Sequence, residues 1–340
     1  MSCVVVTGAT GYLGSHACVA LLNAGHVVIG IDDLSNSSPE VLNRVASLAR
    51  PLDQFHQLDI RNTDELTRAL HGNAVDLVFH FAGVKSVAES VVDPLRYHGI
   101  NVAGSVSLAH AMAATGIERL IFSSSCTVYG EGGSPDAISC VSESTRTQPI
   151  SPYGWSKLLA ERVFADAAVA HGWRVCALRY FNPVGAHDSG CLGESPSGEL
   201  HSLVPLATAV AAGHRDKLFV FGSDYDTPDG TCVRDYVHID DVIDGHLKAL
   251  DRIDDLGPFT AVNLGTGTGY SVQDVIACVR AITGSAVPIE HAPRRAGDAA
   301  GLFADAGLAR DLLEWNAAHT LEDMVADHWR WITTNPTGYG

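Results

Sequence analysis

Positive charge is scarce in this chain. Across 340 residues, 22 Lys and Arg face 39 Asp and Glu, a formal net charge of −17. Such a balance leaves little to neutralise a phosphate backbone, so nucleic acid is not expected as a partner, and anionic membrane surfaces repel it. A small anionic ligand is still compatible, because a few local Arg residues outweigh a global field. No apolar run approaches the length that crosses a bilayer. The eight Cys (3, 18, 126, 140, 176, 191, 232, 278) form no C-x-x-C, and the 16 His show no H-E-x-x-H or similar ligand spacing. Scattered single thiols read as reduced core fillers of a cytoplasmic protein, and no metal site is expected. Repeats, charge blocks and low-complexity tracts are missing. Ser2 to Thr7 lead straight into a glycine loop, so the N-terminus reads as structure and not as a leader. What is there is ordinary globular material, 46% hydrophobic and 18% charged, enough for one large or two ordinary domains.

Strands and helices alternate. Val4-Val5-Val6 is a β-branched run ending at a glycine, the pattern of a buried parallel strand. A helix is predicted from Tyr12 to about Ala24, stopped by Gly25, then a strand at 27–31 ending in Asp32-Asp33. Next come a helix from about Pro39, a strand near 55–58, a helix over 63–70, a strand at 76–80 and a helix from Pro94 to about Thr115. A strand at 120–122 closes on Ser123-Ser124-Ser125, and a helix over about 153–171 precedes a strand at 175–178. Six alternations predict an α/β fold, a doubly wound, Rossmann-like parallel sheet with right-handed crossovers. After Arg179 the rhythm breaks, and residues 181–200, rich in Gly, Pro, Ser and Asp, read as a long ordered loop. Beyond it, helices are predicted near 203–212, 240–250, 271–282 and 321–332, and strands near 219–221, 236–238, 261–264 and 287–290. Residues 1–180 thus read as a nucleotide-binding domain, and 181–340 mainly as a smaller mixed α/β cap with some segments returning to the first domain. Residues 333–340 read as a loose tail.

Phosphate binding needs close backbone approach, free N–H donors and a helix N-terminus aimed at the anion. Gly8, Gly11 and Gly14, with Tyr12 and Leu13 between them, supply all three, in G-x-x-G-x-x-G spacing and not the G-x-G-x-x-G of the common fingerprint. A tight turn packed on a helix would use the same glycines, so context decides: a strand before, a helix after, and Asp32 18 positions beyond Gly14. Asp32 is placed to accept from the adenosine ribose hydroxyls. With Asp33 beside it a 2′-phosphate would meet two negative charges, so NAD is expected and not NADP; the other reading of the pair is a solvated turn. Leu34, Ser35, Asn36 and Ser37 continue the lining. Asp59 and Ile60 follow the third strand within reach of an adenine. Phe81, Ala82, Gly83 and Lys85 follow the fourth, at the edge where ligands of such sheets collect.

Tyr153 and Lys157, four residues apart, share a helix face. A free phenol, with a pKa of about 10, is protonated at neutral pH, and a nearby ammonium and an oxidised nicotinamide favour its phenolate. Tyr153 is therefore a candidate general base for an alcohol proton. Ser125, at a strand's carboxyl end, can hydrogen-bond the same oxygen and the developing carbonyl. Lys157 is also placed for the nicotinamide ribose. A lone Y-x-x-x-K says little, but after a glycine loop and a Ser-terminated fifth strand it points to alcohol oxidation with a dinucleotide as acceptor.

Longer stretches carry a resemblance. They are Gly11-Tyr12-Leu13-Gly14-Ser15-His16, His80-Phe81-Ala82-Gly83-Val84-Lys85, Ser123 to Gly130, Ser151-Pro152-Tyr153-Gly154, Arg179 to His187, Val233-Arg234-Asp235-Tyr236-Val237-His238 and Ala292 to Asp298. These resemble the UDP-glucose 4-epimerase family of the extended short-chain dehydrogenase/reductases, from about residue 3 to the tail, including His328-Trp329-Arg330-Trp331. The resemblance implies an isomerase of galactose metabolism: Tyr153 takes the 4-hydroxyl proton, hydride passes to tightly held NAD, and the 4-keto sugar turns its other face before hydride returns. It also implies that Tyr180 and Phe181 adjoin the nicotinamide, with Phe181 and Asn182 at its junction with the sugar. Lys85, Ser125 and Tyr153 would meet substrate as well as cofactor. Ser202 would hold a phosphate or sugar oxygen in place of an amide, Leu203 would line the substrate beside it, and Phe219, Val220 and Phe221 would run along the uracil. Arg234 and Arg295 would neutralise the two phosphates, and Asp298 would lie near the uridine ribose; an ordinary ion pair is the other reading of each Arg.

Departures from the family pattern accompany these matches. Asn-Asn-Leu is replaced by His201-Ser202-Leu203, Ile100 stands where a cofactor-facing Asn is common although Asn101 remains, and Ser195 replaces an acid. Leu302 holds a position whose bulk gates N-acetylated sugars in the family, so UDP-N-acetylhexosamines are an alternative substrate; pentose and uronate epimerases differ from this pattern by few residues. A 4,6-dehydratase would carry an acid pair after the Ser strand, where this chain has Cys126-Thr127-Val128. A catalytically silent NAD-sensing protein would tend to lose the Tyr or Lys. By the resemblance, the helix beginning at Pro94 and the Tyr153 helix pair with their copies in a second subunit, which implies a homodimer.

Overall fold

The computed structural model describes residues 1–132, 138–198, 200, 202–294 and 299–340. In chain order the first half runs β1 (Cys3–Thr7), α1 (Tyr12–Asn23), β2 (Val27–Asp32), α2 (Glu40–Leu48), β3 (Gln54–Gln57), α3 (Thr63–Leu70), β4 (Leu77–His80), α4 (Val87–Val92), α5 (Pro94–Tyr97), a π turn (His98–Val102), α6 (Ala103–Thr115), β5 (Arg119–Ser125), a 3-10 turn (Cys126–Tyr129), β6 (Ile138–Val141) and α7 (Pro152–His171). Then follow β7 (Arg174–Tyr180), β8 (Asn182–Val184), α8 (Leu203–Ala211), β9 (Leu218–Phe221), β10 (Val233–His238), α9 (Ile239–Arg252), β11 (Phe259–Leu264), β12 (Gly269–Ser271), α10 (Val272–Thr283), β13 (Ile289–Ala292), β14 (Gly301–Ala304), α11 (Gly307–Leu313) and α12 (Leu321–Thr334).

Seven strands form one parallel sheet in the order β3-β2-β1-β4-β5-β7-β11. Val4, Val5, Val6, Val28, Ile29 and Ile31 are fully buried, which explains their β-branched runs: helices cover both faces. Ala17, Leu21, Val41, Val242 and Ile243 pack one face from α1, α2 and α9. Leu66, Leu70, Leu108, Met112 and Phe164 pack the other from α3, α6 and α7. Strand order reverses between β1 and β4, the switch point where ligands of open α/β sheets bind. The doubly wound sheet is therefore as expected, with one more strand: 261–264 belongs to β11, which pairs with β7 from the second half of the chain.

A second sheet runs β12-β10-β14-β6, with β8 also on β10, and β9 pairs with β13. Its strands β6, β12 and β14 are invisible to periodicity because they span only three or four residues. Asp235 binds it to the main sheet: its carboxylate accepts from the N–H groups of Thr266, Gly267 and Ala304.

Three expectations are corrected. The helix predicted from Pro94 begins earlier, at Val87, and is interrupted twice, by the Asp93 N-cap and by the π turn. The loop predicted for 181–200 contains β8. The terminal residues are held: Asn335 Nδ2 donates to Gly190 O at 2.7 Å, and the Tyr339 hydroxyl bonds Gly193 N (3.0 Å) and O (2.8 Å) with its ring 4.9 Å from Trp331. Among the described residues no helix is long and apolar enough to cross a membrane. All eight cysteines are free thiols.

Candidate active site

The glycine loop folds back over β2, with Gly8 N–H donating to Ile31 O at 2.8 Å. Gly8 has φ +72° and a Cβ there would stand 2.8 Å from Ala82 N, while a Cβ on Gly14 would stand 2.0 Å from Gly8 O. Gly11 is the N-cap of α1 and offers no side-chain cap, so the first amide groups of the helix are left for another acceptor. This is a cradle without room for side chains, the chemistry a diphosphate requires. Tyr12 donates its hydroxyl to Gly185 O at 2.8 Å, and Leu13 packs against the core.

Asp32 is nearly buried at the end of β2. Its Oδ2 accepts from Thr10 N–H (3.0 Å) and its Oδ1 from Leu34 N–H (2.9 Å) and Ser37 Oγ (3.3 Å), which fixes the carboxylate and leaves lone-pair sites open. Asp33 points outward and accepts from the Ser35 N–H and hydroxyl, the solvated-turn reading for that residue. Asn36 Oδ1 accepts from Ser197 N–H at 3.2 Å. Asp59 is engaged by Arg61, whose guanidinium holds its carboxyl below the usual range. Ile60 is buried against α6, where a Cβ on Gly104 would meet its Cδ1 at 2.5 Å. Phe81 lies 4.8 Å from the His246 ring, and Ala82 and Gly83 continue at the rim; Lys85 Nζ bonds Glu194 Oε1 at 2.5 Å.

Residues 185–197 therefore lie as a strap across the carboxyl edge, tied to Tyr12, Lys85 and Asn36. The C-terminal residues hold the strap from behind through Gly190 and Gly193, and Trp331 Nε1 donates to Glu194 O at 3.1 Å.

The acid/base trio converges on the end of β5. Ser151 caps α7, accepting from Gly154 N–H at 3.1 Å, and Pro152 opens the helix, so Tyr153 sits in its first turn. Lys157, one turn on, donates to Ser123 O at 2.8 Å with Nζ 6.0 Å from the Tyr153 ring centre. Ser125 Oγ accepts from the Thr127 N–H (3.2 Å) and hydroxyl (2.9 Å). Burial pushes the Tyr153 phenol up to about 12, its hydrogen bond with Ser125 pulling the other way. Burial also lowers Lys157 to about 8, opposed by Glu161. In the chain alone, desolvation thus outweighs the expected lowering of the phenol by the ammonium.

Tyr180 bonds Ser123 Oγ through its hydroxyl, and Phe181 is buried with Val128 and Leu302 in one cluster. Asn182 opens β8 opposite Tyr236. Leu302 pairs in register with Arg234, whose Nη1 donates to Val233 O and Ala299 O. Ser202 is the N-cap of α8 without a side-chain cap bond, Leu203 follows half-buried, and Phe219 stands exposed beside buried Val220 and half-buried Phe221. Arg295, Asp298 and His201 lie outside the described residues. Two residues joined to the trio went unassigned. Glu161 was signalled only by its place one turn past Lys157, and Asn101 is aimed inward by a π turn that no sequence periodicity shows. Among the described residues His238, Asp240 and His319 are grouped as metal ligands could be; the two rings stack at 4.3 Å and 22°, His238 Nδ1 accepts from the Asp240 N–H and so caps α9, and His319 Nδ1 bonds Asp241 Oδ1 at 2.8 Å.

Residues 4–265 match the model of the NAD dependent epimerase/dehydratase family. A UDP-glucose 4-epimerase of Neisseria meningitidis serogroup C is 43% identical over 340 residues, covering 100% of this chain and 99% of the relative. One of Bacillus subtilis is 44% identical over 337 residues, with 99% and 98% covered. The solved UDP-glucose 4-epimerase of Bifidobacterium longum, in complex with NAD+ and UDP, superposes with a TM-score of 0.94 at 42% identity, covering 99% of this chain and 100% of that one. A family model spanning the glycine loop, the Tyr153–Lys157 helix and β11, with relatives that align from end to end, settles descent: the chain belongs to the NAD dependent epimerase/dehydratase family.

Proposed function

We propose that this chain is an NAD-dependent isomerase that inverts C4 of a UDP-hexose, interconverting UDP-glucose and UDP-galactose. The observation that carries the reading is the meeting of Ser125, Tyr153 and Lys157 at the end of β5, in a sheet whose glycine loop leaves a side-chain-free cradle. Residues 1–180 serve mainly the dinucleotide and 181–340 mainly the UDP-sugar, with α9 and β11 returning to the main sheet. Gly8, Gly11 and Gly14 cradle the diphosphate of NAD, Asp32 takes its adenosine ribose, and Lys157 its nicotinamide ribose. NAD supplies the hydride acceptor for C4, a positive charge beside the phenol when oxidised, and the hydride that returns.

Tyr153 removes the proton of the 4-hydroxyl, and Ser125 steadies that oxygen as it becomes a carbonyl. Arg234 and Arg295 hold the diphosphate while the 4-keto hexose, loosely gripped near Phe181, Asn182 and Leu302, presents its other face. Tyr153 then gives the proton back, so the sugar ends at its starting oxidation state with the opposite configuration. Incubation with UDP-galactose and no added NAD, followed by separation of the stereoisomers, should yield UDP-glucose. Purified protein that carries NAD yet leaves UDP-galactose unchanged would refute the reading.

We also propose a homodimer in the cytoplasm. Val91, Val92 and Leu95 on α4 and α5 are 61%, 86% and 81% exposed, next to exposed Trp155 and Leu159 on α7. Exposed apolar side chains on three neighbouring helices suit a second copy. Light scattering should give twice the 35.9 kDa chain mass, and a monomer at micromolar concentration would overturn it.

A further inference from the structure

One turn beyond Lys157, α7 carries a buried carboxylate that the proposed chemistry does not use. Three donors end on Glu161: Arg179 Nε at 2.9 Å and Nη2 at 2.6 Å, in a two-pronged fork, and Ser124 Oγ at 2.5 Å. Lys157 donates to Ser123 O, so residues four apart on one helix face hold two consecutive residues of β5, immediately before Ser125. On the far side Arg179 Nη1 reaches the Tyr129 hydroxyl at 3.0 Å, which donates to Asn263 Oδ1 at 2.7 Å. Asn263 Nδ2 then donates to Val141 O at 2.9 Å, in the sheet that carries Leu302.

We propose that Glu161 is a positioning residue of the reaction: its carboxylate cancels the buried Arg179 charge beside Lys157 and clamps α7 to the Ser123–Ser125 end of β5, and this balance sets the pH at which the Tyr153–Lys157 pair ionises. The inference rests on the alcohol-oxidation reading above. A guanidinium does not discharge in a protein, so without its carboxylate Arg179 would stand near Lys157 as a second fixed cation. The other groups facing the pair are neutral at that pH. His80 of β4 is held near 3 by burial. Cys126 after β5, Tyr97 of α5 and Tyr180 of β7 are all raised by burial. Arg234 and Asp235 of β10 act on Cys126, one level further out, with opposite effects. The balance of Glu161 against Arg179 therefore sets the nearest field.

The test is the pH profile of kcat for UDP-galactose, with the phenolate difference spectrum of Tyr153, read without sugar against Tyr153→Phe. Glu161→Gln keeps the shape and removes the negative charge; the acid limb and the phenolate transition should both fall by about one pH unit or more, with KM unchanged. The neutral double variant Glu161→Gln with Arg179→Gln should return both to the parent values. Arg179→Gln alone leaves the carboxylate and should raise them or leave them in place. A merely structural role lowers kcat and Tm in every variant with the limb unmoved, and that result overturns the inference. Should Glu161→Gln fail to fold, a limb that falls in Arg179→Gln or in the double variant overturns it equally. A parent without epimerase activity defeats the functional reading instead, and the spectrum then still reports on the charge balance.

Discussion

Asn101 Nδ2 donates to Ser156 Oγ at 2.8 Å, and that hydroxyl donates to the backbone carbonyl of Tyr153 at 2.7 Å. The same amide brackets Val84, accepting its N–H at 2.9 Å and donating to its carbonyl at 3.0 Å. The π turn at 98–102 thus supplies one side chain that fixes both the rim after β4 and the first turn of α7. Asn101→Ala takes a partner from the Val84 N–H and carbonyl and from the Ser156 hydroxyl; urea unfolding should show a loss of about 1–3 kcal/mol, with kcat reduced as α7 loosens. Unchanged stability would mean that water replaces the amide without penalty.

Tyr153→Phe removes the proposed proton acceptor and little else. We expect kcat to fall by about 10²–10⁴-fold, with bound NAD, Tm and substrate KM near those of the parent. Turnover at the parental rate would exclude the phenol as the base.

Gly14→Ala places a methyl 2.0 Å from Gly8 O. The loop must open, and bound NAD, measured from the absorbance ratio after purification, should drop to a trace. Gly116→Ala is a fair control: nothing stands within 4 Å, and only its φ of +73° is strained. It should lose about 1 kcal/mol of stability and no NAD.

Removal of residues 335–340 cuts the bonds that hold the strap at Gly190 and Gly193. A few hydrogen bonds of about 1 kcal/mol each are at stake, so exchange of bound NAD should quicken by roughly tenfold or more. Equal exchange rates would free the tail of any part in retention.

Acid should weaken the fold early. Burial lowers His16 and His80 to about 3, and His238, His246 and His328 to about 4. The unfolded chain takes up protons at these sites from about pH 6.5 downward while the folded chain does not, so their contribution is full above 6.5 and is lost as pH falls towards 4. Asp240, raised to about 6 by burial, works in the opposite direction, as do Asp235, Asp244 and Glu143, also raised by burial, and His319, raised against burial by its bond to Asp241; the five imidazoles are the groups moved furthest across the interval from 6.5 to 4. Tm should be level between pH 7 and 8 and fall steadily from 6.5 to 5. A flat profile would show that these imidazoles protonate in place.

The sheet and the trio were legible in the sequence because their signals are local. Val4-Val5-Val6 before a glycine, or Tyr153 one turn from Lys157, needs only a few neighbouring residues to be read. The remainder depends on distant partners. β6 and β14 exist because they pair with each other across more than a hundred residues, and neither has length enough to announce itself. Asp59 looked free for an adenine, and only the fold reveals Arg61 turned back onto it. The burial that raises Tyr153 likewise comes from elements that no motif names.

The outermost strand of the main sheet also has consequences for synthesis. β7 offers an open row of backbone groups until residues 259–264 leave the ribosome and close it. The nascent chain therefore carries an unfinished, adhesive border through the making of α8, β9, β10 and α9, the interval in which chaperone contact would matter most.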